Sequence, residues 1–280
     1  MSEAVKLAGV IGWPIHQSLS PILHAHWLKR YGIKGAYVPL AIRPEDFGTC
    51  VAALPRMGFA GASVTVPHKE AAFALAHERD ADAQATGAVN TLVFDNGRVI
   101  GMNTDVRGFA ASLKENLGSD AANAGPAIVL GAAGAARGIV LALMQTGAPE
   151  IRLLNRTRDR AETLAASFKD ARVKTGAWGD WKHAFAGARL LVNTTSLGMV
   201  GKDANDIPLG GLPKDAAVAD IVYNPLETEL LRVAKARGHR TMGGLGMLMH
   251  QAAPAFAAWF GVTPEVTPAL RAALEEALHG

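Results

Sequence analysis

The apolar run Ala127–Leu130 leads directly into Gly131-Ala132-Ala133-Gly134-Ala135-Ala136, and a helix-prone stretch follows to Gln145, closed by Gly147. Strand, glycine-rich turn and helix in that order form a ready site for a pyrophosphate. The free N–H groups of the turn and the positive end of the helix dipole both face the anion. Against the dinucleotide pattern G-x-G-x-x-G/A, Gly131 and Ala136 fit, while Ala133 replaces the middle glycine. On its own the turn also suits an ordinary strand–helix connection. Similar alternation of short apolar runs and helix-like segments recurs along the chain, which predicts an α/β protein of repeated βα units over a largely parallel sheet.

The following strand, over 151–154, sharpens the choice of ligand. An NAD-binding fold presents a carboxylate at that strand tip, on the ribose 2′-hydroxyl. Here the tip reads Asn155-Arg156-Thr157-Arg158-Asp159-Arg160, with three guanidinium groups within five residues. Cations disfavour a helix start unless an anion is present, and guanidinium pairs well with phosphate. The tip therefore points to the 2′-phosphate of NADP.

Other elements read as follows. Strands are expected over 6–11, 36–39, 62–66, 91–95, 98–102, 189–192 and 217–221. Helices are expected over 21–31, 45–57, 69–77, 158–168 and 227–237, with a helical tail after Gly246 interrupted at 261–268. Asn96-Gly97 between two apolar runs is a strong hairpin signal. Near residue 106 the pattern changes, with no linker composition.

Composition removes several function classes. Apolar runs fall far short of the roughly 20 residues of a membrane span. The start has no basic segment leading into an apolar one, so no secretory signal is expected. The lone Cys50 excludes an internal disulfide framework and a Cys-rich zinc site, and fits a reducing cytoplasm. Twenty-eight Lys+Arg against 25 Asp+Glu is too balanced for a nucleic-acid binder by bulk charge. The nine histidines show no metal-ligand spacing, although His24 and His26 share a helix, so no metal is expected.

Four polar clusters lie beside expected strand ends in the first 105 residues: Ser18-Leu19-Ser20-Pro21, Thr65-Val66-Pro67-His68-Lys69, Gly87-Ala88-Val89-Asn90-Thr91 and Gly101-Met102-Asn103-Thr104-Asp105. Ligands of open α/β sheets bind at such ends. Each cluster also has a plainer reading: Ser20 as a helix cap, Thr65 and Asn90 as turn residues, Lys69 with Asp105 as a surface ion pair.

In order and wording these clusters resemble the shikimate dehydrogenase family, including its shikimate/quinate members. The likeness continues through Gly12-Trp13-Pro14, the Gly131 turn, Asn155-Arg156-Thr157, residues 193–199, residues 220–225 and Gly244-Leu245-Gly246 to Gln251. It implies an α/β substrate domain (1–106, completed by 245–280), a Rossmann-like NADP-binding domain (107–244) and an active site in the cleft between them. The implied reaction is the reversible NADPH-dependent reduction of 3-dehydroshikimate to shikimate, by a cytoplasmic monomer or homodimer with no nucleic-acid or membrane partner.

By the same resemblance, Lys69 is the proton donor and acceptor and Asp105 its orienting partner. Ser18 and Ser20 hold the substrate carboxylate. Thr65, Asn90 and Gln251 join Lys69 and Asp105 in bonding ring hydroxyls and the reacting oxygen, and Tyr223 lines that pocket. Gly131, Ala132, Ala133, Gly134 and Ala135 cradle the pyrophosphate. Asn155, Arg156 and Arg160, with Thr157, Arg158 and Asp159 in the same segment, meet the adenosine 2′-phosphate, and Ile221 and Gly244 flank the nicotinamide. Three positions depart from the family pattern: Ala133 for glycine, Ser63 for asparagine, and Leu19 where a basic residue is frequent. An NAD-linked quinate dehydrogenase and a non-catalytic NADP sensor are the competing functions. The absent strand-tip acid argues against the first, and the presence of both Lys69 and Asp105 against the second.

Overall fold

The computed structural model describes residues 5–279. The chain divides into two units, one holding the residues up to Asp105 together with those from Leu248 onward, the other Val106–Met247.

The first unit begins with β1 (Lys6–Gly12), α1 (Ser20–Arg30), β2 (Gly35–Ala41), α2 (Phe47–Ala53), β3 (Phe59–Val64) and α3 (Lys69–Leu75). It continues with β4 (Glu78–Arg79), α4 (Ala81–Thr86), β5 (Thr91–Asp95) and β6 (Arg98–Met102). Its sheet has the order β2-β1-β3-β5-β6-β4. β1 pairs in parallel with β2 and β3, whereas β5 is antiparallel to both β3 and β6. β4 pairs in parallel with β6, so five of the six strands run the same way and the sheet is largely parallel as expected; β5 alone is reversed, as the first strand of the Asn96-Gly97 hairpin. The helix expected over 45–57 is broken. A 3₁₀ turn covers Leu54–Met57, since Pro55 has no N–H to continue the ladder of α2. The strand expected to reach residue 66 ends at Val64, two residues short, ahead of Pro67.

The second unit contains α5 (Asp105–Leu117, past its first residue), β7 (Ala127–Leu130), α6 (Gly134–Gln145), β8 (Ile151–Asn155), α7 (Arg158–Phe168) and β9 (Val173–Ala177). After these come α8 (Trp181–Phe185), β10 (Leu190–Asn193), β11 (Ala217–Asp220), α9 (Glu229–Ala236) and β12 (Thr241–Met242). The six strands are all parallel, in the order β12-β11-β10-β7-β8-β9. Alternate residues feed two cores. Ala127, Val129, Leu190 and Val192 pack on one face, and Ile128, Leu130 and Leu191 on the other. A sheet covered on both faces explains why its central strands read as unbroken apolar runs. Chain order reverses between β7 and β10, and ligands of such doubly wound sheets bind at the strand ends there.

The tail forms α10 (Leu245–Phe260) and α11 (Pro268–His279). From Leu248 onward it completes the first unit. Trp259 Nε1 donates to Leu92 O at 2.9 Å, and Trp27 Nε1 of α1 donates to Glu265 O at 3.0 Å. Trp27, Phe256 and Trp259 are all buried, each worth roughly 3–5 kcal/mol against truncation to alanine.

Candidate active site

In the first unit the chain brings Lys69, Asp105 and Gln251 together from three helices with Asn90 from the bend before β5. Lys69 opens α3 and Asp105 opens α5, so both side chains are set by helix starts. Lys69 Nζ donates to Asp105 Oδ2 at 2.5 Å. Their side chains are only 12% and 6% exposed, which removes the surface-ion-pair reading. Asn90 Nδ2 lies 2.9 Å from Asp105 Oδ1, 2.9 Å from Thr104 Oγ1 and 3.2 Å from Gln251 Oε1. The Thr104 N–H donates to Asn90 Oδ1 at 2.8 Å, which fixes the amide the right way round. Thr104 Oγ1 also reaches Gln251 Oε1 at 3.3 Å. Asn90 is therefore no turn residue but the hub of a buried polar network. Thr104 is a member that the motif reading overlooked; its position just before Asp105 was the available signal.

Ser18 and Ser20 lie at the start of α1. The N-cap of that helix is Leu19, with no side-chain cap, so Ser20 is not spent on capping. Ser18 Oγ accepts from the Ser20 N–H at 3.3 Å, and its own proton remains to be donated. Leu19 is buried in the core, which accounts for an apolar residue where the family often has a basic one. Ser63, the other departure, accepts from the Tyr37 hydroxyl at 2.8 Å. Burial pushes that phenol above its usual range, against the bonds it makes to Ser63 and Ser20. The Thr65 N–H bonds to Ile11 O at 2.9 Å, while its hydroxyl has no partner among the described residues. His68, next to Lys69, is structural: Nε2 meets Ile42 O at 2.8 Å and the ring stacks on Phe47.

In the second unit, Gly131 sits at φ +106°, and a Cβ there would lie 2.8 Å from Thr194 Oγ1. Only glycine allows this turn. Ala133 is the N-cap of α6 at φ −103°, ψ −173°, extended backbone open to any residue, so this turn needs no glycine at that position for conformational reasons. It offers no side-chain cap, which leaves the first N–H groups of α6 for a ligand. Thr157 likewise starts α7 without a side-chain cap, and Asn155 Nδ2 is turned onto Thr157 O at 2.8 Å. Arg158 is engaged with Glu162 at 2.6 Å. Arg156 and Arg160 are exposed and have no partner among the described residues. Asp159 is exposed in the first turn of α7. Two free guanidinium groups beside an uncapped helix start, and a turn that a Cβ would fill, suit a nucleotide carrying an extra phosphate.

At the end of β11, Asp220 is fully buried and accepts three hydrogen bonds, from Asn193, Val222 and Thr228. Burial raises its pKa to about 6, against the pull of those donors. Ile221 and the half-buried Tyr223 follow it, and Gly244 lies against Ile221. No cluster of metal-ligating side chains occurs among the described residues.

Two family models match the chain: the shikimate dehydrogenase substrate binding domain over residues 10–92, and the shikimate 5′-dehydrogenase C-terminal domain over residues 244–274. The shikimate dehydrogenase (NADP(+)) of Paramagnetospirillum magneticum is 52% identical over 273 residues, covering 97% of this chain and 99% of that protein. The chain belongs to the shikimate dehydrogenase family. Its structure matches that of the Thermus thermophilus shikimate 5-dehydrogenase, solved with NADP(H) and shikimate, with TM-score 0.84, 37% identity and 99% of each chain covered. The quinate dehydrogenase of Corynebacterium glutamicum, solved with NAD, matches with TM-score 0.87 at 31% identity, over 98% of this chain and 99% of that one. The fold is thus shared by members with different cofactors, and cofactor choice has to be argued from the residues at the tip of β8.

Proposed function

We propose that the chain catalyses the reversible reduction of 3-dehydroshikimate to shikimate with NADPH. The observation that carries this reading is the buried Lys69–Asp105 pair, tied through Asn90 to Gln251, in a chain of this family. When bound, NADPH supplies the hydride that adds to the carbonyl carbon. Charge then grows on the carbonyl oxygen, where the Lys69 ammonium stabilises it and gives up a proton to complete the alcohol. Lys69 regains that proton from water, so one hydride and one proton are consumed per turnover. Asp105 holds Lys69 through Oδ2 while Asn90 holds Oδ1, which fixes the ammonium relative to the substrate.

Ser18 and Ser20 donate hydroxyl protons to the substrate carboxylate. Thr65, Asn90, Asp105, Gln251 and Tyr223 meet the ring hydroxyls. The nucleotide pyrophosphate rests on Gly131–Ala135 at the start of α6, and Arg156 and Arg160, with Asn155 and Thr157 beside them, meet its 2′-phosphate. Arg158, already paired, and the acidic Asp159 shape that segment without gripping the phosphate. Ile221 and Gly244 flank the nicotinamide. The single free, half-buried Cys50 suits a reducing cytoplasm, and a monomer or homodimer is the expected state.

The test is a set of initial rates with shikimate and quinate, each against NADP and NAD. We expect shikimate with NADP to exceed every other pairing in kcat/KM, and to exceed shikimate with NAD by about two orders of magnitude, the scale of losing charge-assisted bonds to one phosphate. Faster turnover of quinate, or equal use of the two cofactors, overturns the reading.

A further inference from the structure

A carboxylate buried without a counter-ion is costly, and Asp220 has only neutral donors around it. Its geometry shows what it secures. Oδ1 accepts from Asn193 Nδ2 at 2.9 Å and from the Val222 N–H at 3.0 Å, while Oδ2 accepts from Thr228 Oγ1 at 2.7 Å. The bond to the residue two ahead closes an Asx turn around Ile221, at the point where β11 ends. The same short segment is held by two further backbone bonds. The Ile221 N–H bonds to Asn193 O at 3.1 Å, Asn193 is itself anchored in β10, and the Gly244 N–H bonds to Val222 O at 3.1 Å. Gly244 fits so closely that a Cβ there would lie 2.1 Å from Ile221 O. The Ile221 N–H, the Val222 N–H and the Val222 carbonyl are thus all tied, yet the Ile221 side chain itself is only partly covered within its unit.

A tie between β10 and α9 alone would need one acceptor, and an amide or hydroxyl could supply it. Three donors converging on two oxygens, one of them the backbone N–H of the turn, need a carboxylate. We infer that Asp220 is a positioning residue for the nicotinamide end of the cofactor, holding the Ile221-Val222 turn in the one conformation against which that ring can be set. The inference rests on the reading of Ile221 and Gly244 as the nicotinamide flank.

The experiment compares Asp220→Ala, which loses all three bonds, with Asp220→Asn, which keeps an oxygen for Asn193 and Val222 and loses the acceptor for Thr228. Each purified variant is titrated with NADP and, separately, with adenosine 2′,5′-bisphosphate, which carries the phosphate-binding half of the cofactor but no nicotinamide. Steady-state kcat and both KM values are then measured. We expect kcat to fall about ten- to a hundredfold in Asp220→Ala, the scale of a small misplacement of reacting groups. The affinity for NADP should fall with it, while the bisphosphate affinity and the KM for shikimate stay at their unmutated values. Asp220→Asn should show the same split at about threefold, and it decides the matter alone if Asp220→Ala does not fold. Equal loss of affinity for both nucleotides, or no change in either, overturns the inference. A bisphosphate that fails to bind the unmutated protein counts instead against the assigned cofactor site.

Discussion

The candidate substrate region in the first unit and the candidate nucleotide region in the second are prepared in opposite ways. In the first unit, Lys69, Asp105, Asn90, Thr104 and Gln251 are already bonded to one another, and Asn90, Thr104 and Asp105 are buried. In the second, the helix starts at Ala133 and Thr157 have no side-chain cap, and Arg156 and Arg160 are exposed with no partner among the described residues. The difference follows from what each half must recognise. Ring hydroxyls and a carbonyl about to become an alcohol require fixed geometry, and a network of pre-bonded side chains supplies it at little entropic cost on binding. A phosphate brings charge and its own hydration, and exposed donors that await it gain from pairing without a prior ion pair to break.

The sharpest way to break this contrast is Lys69→Ala. If the first unit works by preorganised chemistry, kcat should fall by about two to four orders of magnitude while the KM for NADP is unchanged. Removing one partner of a buried pair also destabilises, by roughly 3–5 kcal/mol, so rates must be read on protein shown to be folded by circular dichroism. A folded variant with near-normal kcat would remove Lys69 from the chemistry and leave it a structural partner of Asp105.

Arg156→Ala probes the other half and should act through binding alone. One charge-assisted bond to phosphate is worth roughly 1.5–3 kcal/mol, and at so exposed a position the lower end applies. The KM for NADP should rise about tenfold, with kcat and the KM for NAD untouched. Added salt should narrow the gap between the native protein and the variant. An equal loss with NAD would mean that Arg156 serves the pyrophosphate or the fold, and not the 2′-phosphate.

The same contrast explains what could be read from sequence. The nucleotide half is a local arrangement: β7, the Gly131 turn and the tip of β8 follow one another closely in the chain, and each carries its own physical signature. The bounds of β7, α7, β5 and β6 agree with the expectation residue for residue. The substrate half is assembled from positions 69, 90, 105 and 251, which no periodicity connects, and only the wording of the motifs pointed to it. Thr104 stood in the Gly101–Asp105 cluster without a role of its own, because its partners Asn90 and Gln251 lie far from it in the chain. Asp220 was overlooked as a hub because its partners, Asn193 and Thr228, come from a different strand and from the start of the next helix. Among the elements, β4, α4, α5, β9, α8 and β12 went unread; β9, for one, has just one buried residue, Val173, and so no apolar run.

The remaining prediction concerns a group that breaks the first unit's rule of internal pairing. His24 is fully buried in α1, stacked on Tyr37 at 3.9 Å between ring centroids, with Trp27, Phe256 and Trp259 around it. Neither ring nitrogen has a hydrogen-bond partner among the described residues. Burial alone depresses its pKa from 6.5 to about 3. Between those two values the unfolded chain binds a proton that the folded chain refuses. The contribution of His24 is therefore intact above pH 6.5 and is lost progressively as pH falls toward 3. Replacing His24 with leucine removes both the refused proton and two unsatisfied nitrogens, at the loss of a ring stack. Near neutral pH these offset, and stability should move by no more than about 1 kcal/mol. On acidification the variant should hold its stability further than the native protein, with the gap opening below pH 6.5. Urea unfolding of both proteins across that window measures the gap directly. Parallel loss of stability in the two would show that His24 finds a partner in solution, and the first unit would then pair every titratable group it buries.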